Sequence, residues 1–168
     1  CDLSAVEARR LMSQKRLSPV ELTNSCISRI EAVDQSVNAM VTRCFERAII
    51  EAKLAEKKIM NGDDLGPLHG VPFTVKDLVN TAGVKTTFGS FGFRDNVPKI
   101  DSIGVARLRR AGCILLGKTT TPEFGHKPMT EAPLFGRTLN PWRKTLTSGG
   151  SSGGAAVAAA TGLGPLHV

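Results

Sequence analysis

Two adjacent hydroxyls in a glycine loop and one lysine in an apolar run are the side chains of this sequence best suited to chemistry. The hydroxyls lie in Gly149-Gly150-Ser151-Ser152-Gly153-Gly154, which runs straight into Ala155-Ala156-Val157-Ala158-Ala159-Ala160. Glycines there open backbone conformations closed to other residues. The small-residue run reads as a helix, and its start offers unpaired N–H groups and a positive dipole end to a developing anion. The lysine is Lys76, near the end of Val71-Pro72-Phe73-Thr74-Val75-Lys76-Asp77. An amine kept among apolar neighbours gives up its proton more readily and becomes a base. Hydroxyls and a desolvated lysine together point to acyl transfer. Each motif alone has a plainer reading: a flexible glycine linker, and a surface lysine paired with Asp77.

Several elements must position these groups. Ser4-Ala5-Val6-Glu7 reads as a capping box opening a helix to about Gln14, and Ser18-Pro19-Val20-Glu21 as a stronger one with proline in the first turn. Leu22, Cys26, Ile30 and Val33 recur behind it at helical spacing. Ala39 to Thr42 fits a short strand, and Phe45 to about Met60 a charged helix stopped by Asn61-Gly62. The texture changes after Gly66. Gly66 to Gly70 is a turn, and the strand after it alternates, with Val71, Phe73 and Val75 on one face and Thr74 and Lys76 on the other. Thr81 to Asn96 reads as a glycine-rich loop. Asp101-Ser102 caps a helix to Arg110, with Val105 and Leu108 inward, and Cys113 to Leu116 reads as a buried strand. Thr119 to Thr147 is broken by four prolines, and so long an irregular stretch is usually functional. The expected division is 1–62, a helical N-terminal portion, and 63–168, the first part of an α/β core.

With 168 residues and 41% apolar side chains, the chain can bury a core as one domain or as a piece of a larger one. Its net charge of +7 comes from scattered residues, and one tryptophan with no tyrosine leaves few stacking platforms. Direct nucleic-acid binding is therefore not expected. No apolar segment is long enough to span a bilayer. Cys1, Cys26, Cys44 and Cys113 have no C-x-x-C spacing, which fits reduced core thiols in the cytoplasm rather than disulfides or a metal site. Neither a metal nor a cofactor is expected. Gly112-Cys113-Ile114-Leu115-Leu116-Gly117-Lys118-Thr119 matches a phosphate-binding loop pattern, but its middle residues look like the strand itself and Thr119-Thr120-Thr121-Pro122 is a poor helix start. The match reads as coincidence.

Longer motifs point further. Gly66 to Asp77, Gly117 to Gly125, Pro133 to Trp142 and Gly149 to Gly154 together, and in this order, resemble the segments that mark the amidase signature family. The likeness runs from about Leu3 to Val168. It implies an α/β fold, a mixed central sheet wrapped by helices, of which this chain is the N-terminal part. It also implies amide hydrolysis by a Ser–cis-Ser–Lys triad through an acyl-enzyme, on a small-molecule amide. Carried over residue by residue, Lys76 is the base. Ser151 is the bridging serine, contacting substrate and joined to Gly150 by a cis peptide bond. Gly125 lines the substrate pocket, and Gly149, Gly150, Ser152 and Gly153 support the loop. His69, His126 and His167 are given no catalytic role. The family's nucleophilic serine and oxyanion N–H groups fall in a motif downstream of the part matched here, so these residues alone are expected to be inert.

The same residues would serve the glutamine-hydrolysing component of a tRNA-dependent amidotransferase, which passes ammonia to a partner acting on charged tRNA. A non-catalytic remnant is the third alternative. Assembly into a homo-oligomer stays open.

Overall fold

Ser18 begins the longest helix as its spacing predicts. Its hydroxyl accepts the Val20 and Glu21 N–H groups, and the Glu21 carboxylate accepts the Ser18 N–H at 3.1 Å. Helix α2 then spans Pro19–Val37 and follows α1, Ala5–Ser13. The expected box at α1 is half formed: Ser4 accepts the Glu7 N–H, while the Glu7 carboxylate turns to Arg10. The computed structural model describes residues 2–168, so Cys1 lies outside the described residues.

Asp34, in the last turn of α2, aims the next strand. Its carboxylate accepts the Ala39 and Met40 N–H groups and pairs with Arg43. Strand β1 is Met40–Arg43, and α3, Phe45–Asn61, stops at Gly62. Strand β2 is Pro72–Lys76, α4 is Ile103–Arg110 under a Ser102 cap, and β3 is Ile114–Thr119. A two-residue hairpin, β4 (Glu131–Ala132) with β5 (Gly136–Arg137), interrupts the irregular stretch. Helix α5, Gly153–Ala160, comes last.

The sheet order is β1-β3-β2, with β1 antiparallel and β2 parallel to β3. The parallel pair requires a crossover, which the chain between β2 and β3 makes through α4. Beyond β2 the tail continues the ladder in parallel: Thr74 N–H donates to Leu166, Val168 N–H to Thr74 and Lys76 N–H to Val168. Layers on both sides follow from the alternation. Val71, Phe73 and Val75 pack with Val105, Cys113 and Leu115 on the α4 face. Ile114 and Leu116 pack with α1, α2, α3 and the Val157 and Ala158 side chains of α5 on the other. This is the expected α/β arrangement, a mixed sheet wrapped by helices.

Strand β3 is longer than Cys113–Leu116, and it is bulged. Phe73 lies opposite Leu115 but Thr74 opposite Gly117, so Leu116 is the extra residue. Lys118 is consequently turned to the α4 face and fully buried, where it contacts protein oxygens. Ile114–Thr119, most of the stretch that matched a phosphate loop, is a β-strand, as its composition indicated.

Burial pushes the Cys26 thiol up to about 11 and Cys113 to about 12, and it also raises Cys44. Among the described residues no helix is long and apolar enough to cross a membrane, and no three His, Cys, Asp or Glu side chains group as metal ligands.

Candidate active site

Strand alternation delivers Lys76 to the face where α5 begins. Its Nζ lies 2.7 Å from Ser151 Oγ and 2.9 Å from Ser152 Oγ. Burial lowers the Lys76 pKa from the ordinary lysine value. Asp77 does not pair with Lys76, as the surface reading would require. It alternates to the opposite face, where its carboxylate accepts the N–H and hydroxyl of Thr87.

The serine loop is held by Thr130, a residue the sequence did not single out. Its N–H and hydroxyl both donate to the Gly149 carbonyl at 2.9 Å, and its Oγ1 accepts the Gly153 N–H at 2.9 Å. One of the free donors at the start of α5 is therefore already used. Thr130 is buried and sits beside the β4–β5 hairpin, so only the tertiary fold brings it here. Gly153 has to be glycine because a methyl there would run into Thr130 Oγ1 and lie 2.6 Å from Ser148 Oγ. The Gly150–Ser151 peptide bond is cis.

Gly125 lies against the serine pair. A methyl built on it would sit 3.8 Å from Ser151 Oγ and 2.6 Å from Leu78 Cδ1, and its φ of +68° also favours glycine. The Ser152 hydroxyl ties the loop to β2 through its contact with the lysine. The structure thus brings Lys76, Ser151, Ser152 and Gly125 to one place, with Gly149, Gly150 and Gly153 forming the turn that presents the hydroxyls.

His167 packs behind this site. Its Nε2–H donates to the Gly164 carbonyl, which leaves Nδ1 to accept the Thr74 hydroxyl at 2.7 Å. Burial lowers its pKa, and the ring braces the tail against β2. His69 pairs with no site group; its Nε2 meets the Ala55 carbonyl.

The amine and the paired serines coincide with a match of the Amidase family pattern to residues 21–168. The chain belongs to the amidase family. Over 164 residues it is 45% identical to an acylamidase of Rhodococcus erythropolis, covering 98% of this chain and 34% of the relative. It is 37% identical over 167 residues to the A-type component of the glutamyl-tRNA(Gln) amidotransferase of Alkaliphilus metalliredigens, covering 99% of this chain and 34% of the relative. The fold matches a bacterial aryl acylamidase of the amidase signature enzymes at a TM-score of 0.94 and 34% identity, covering 98% of this chain and 34% of the other. A peptide amidase from Stenotrophomonas maltophilia matches at 0.89 and 30%, covering 98% and 35%. This amidase-family chain therefore spans about a third of the length of the curated relatives it matches.

Proposed function

We propose that these residues form the base-and-relay half of an amide hydrolase, with the attacking serine and its oxyanion donors supplied by sequence outside 1–168. The supporting observation is the 2.7 Å contact between the Lys76 amine and the Ser151 hydroxyl, on an amine whose charged form burial disfavours.

In this reading neutral Lys76 takes the Ser151 hydroxyl proton as Ser151 takes the proton of the attacking serine. The serine oxygen adds to the amide carbonyl and the C–N bond then breaks. The proton returns along the same path to the leaving amine, leaving an acyl-enzyme. Water repeats the sequence and releases the acid. Gly125 leaves room for the substrate beside Ser151, and the substrate is a small-molecule amide with no metal or cofactor involved. In the full-length protein Lys76→Ala is expected to lower amide hydrolysis at least ~10²-fold while the protein stays folded. Turnover like that of the unaltered protein would remove the assignment.

The amidotransferase reading is favoured by the relatives named as components of that enzyme, one of them 44% identical over 160 residues. It predicts glutamine-dependent amidation of charged tRNA and co-purification with partner proteins. Hydrolysis of simple amides without either supports the hydrolase.

A further inference from the structure

Lys118 and Asp77 are fully buried on the sheet face opposite Lys76. The partners of Lys118 suit its charged form. Its Nζ donates to the Val79 carbonyl at 2.5 Å, to Thr81 Oγ1 at 2.8 Å and to Thr86 Oγ1 at 3.2 Å. Thr81 gives its own hydroxyl hydrogen to the Val79 carbonyl, and Thr86 gives its hydrogen to Val84. With the hydroxyl hydrogens so placed, all three oxygens accept at Lys118, which matches the three hydrogens of an ammonium. Burial pushes the Lys118 pKa down to about 8 while the Asp77 carboxylate pulls it back up, with Cys44, Asp101 and Arg109 as the other ionisable groups facing it. Asp77 is an acceptor too: Thr87 donates its N–H at 3.1 Å and its hydroxyl at 2.5 Å, and Thr87 Oγ1 in turn accepts the Gly89 N–H.

Both members of the pair grip the chain just after Lys76. Asp77 is its neighbour, and the Asp77 N–H donates to the Thr119 carbonyl beside Lys118. Val79, whose carbonyl Lys118 holds, donates its N–H to the Lys76 carbonyl at 3.0 Å. Leu78, between them, packs on Gly125 next to Ser151. The turn that Lys118 organises therefore fixes both the root of the lysine and the wall beside the serine.

We infer that Lys118, with Asp77, is a positioning residue that holds the turn after β2 so that the Lys76 amine stays on the Ser151 and Ser152 hydroxyls and away from water. This rests on reading Lys76 as the base. A loosened turn hydrates the Lys76 amine, so its pKa climbs back toward the ordinary value.

The test compares Thr86→Val, Lys118→Met and Lys76→Ala in the full-length protein, measuring kcat, KM, the pH dependence of kcat/KM and thermal unfolding on an anilide substrate. Thr86→Val removes one of the three Lys118 partners and is mild enough to fold. It is expected to lower kcat about fivefold with KM little changed, and to move the acid limb to higher pH. A larger loss and shift of the same sign is expected for Lys118→Met; should that protein fail to fold, Thr86→Val decides. If Lys76→Ala is inactive while the folded Thr86→Val and Lys118→Met proteins keep kcat and the acid limb, losing only thermal stability, the inference is overturned alone. Full activity in Lys76→Ala overturns the base assignment and this inference with it.

Discussion

The Lys76 amine touches the hydroxyls of both Ser151 and Ser152, across 75 and 76 residues of sequence. A hydroxyl can donate or accept, so a neutral amine satisfies both by accepting from one and donating to the other. Neither serine demands a third hydrogen of it. At Lys118, on the opposite face, three oxygens surround the amine. Two lysines of one sheet thus meet different partners: two serine hydroxyls at Lys76, and a carbonyl with two threonine hydroxyls at Lys118.

The first prediction concerns pH. The Lys76 pKa lies below the ordinary 10.5 because burial penalises the cation. The base is inactive when protonated, so kcat/KM of the full-length protein should rise with pH and level off below 10.5, above the pKa of the free enzyme's lysine. A pH–rate profile measures this. An acid limb at or above the free-lysine value would contradict the desolvated-base reading.

The two serines should separate under mutation. Ser151→Ala is expected to cost ~10²–10⁴-fold in kcat, since proton relay has no substitute at that atom. Ser152→Ala removes one hydrogen bond to the lysine, worth about 1 kcal/mol, or roughly fivefold. Steady-state kinetics on both variants checks the ratio, and equal losses would mean that Ser152 shares the relay.

Gly153→Ala probes the loop. The added methyl has to displace Thr130, which holds Gly149 and Gly153 together. Overpacking of this kind costs about 1–3 kcal/mol. Thermal unfolding should show that loss together with a fall in activity, whereas a stable, fully active variant would mean that the clamp can move without consequence.

Thiol labelling tests the core. With Cys26 raised to about 11 and Cys113 to about 12, almost no thiolate exists near neutral pH. Mass spectrometry after iodoacetamide treatment at about pH 7.5 should find both unmodified in native protein and modified after denaturation. Rapid labelling of either in the native state would place it at an accessible surface.

Much of the scaffold was legible in the sequence because it depends on near neighbours. Ser18, Pro19 and Glu21 satisfy each other's backbone within one turn, and Gly62 ends α3 at a left-handed φ of 77°. The alternation along β2 correctly placed Lys76 opposite Val75, since side chains on a strand switch faces at every residue. Strand β3 escaped the same logic. A bulge at Leu116 reverses the alternation partway along, and Gly117 beside it is a local sign that does not by itself fix which residue is extra.

Residue types drew attention to Lys76 and the serine pair, while the resemblance in motif order singled out Ser151 and tied the chain to its family. What those groups touch was settled by tertiary structure. Thr130 reached the serine loop, Ser152 turned to the lysine and Lys118 was buried beneath the turn because separate segments converge there. Hydrogen-bond partners distant in sequence are chosen by strand register and packing, which local spacing does not encode.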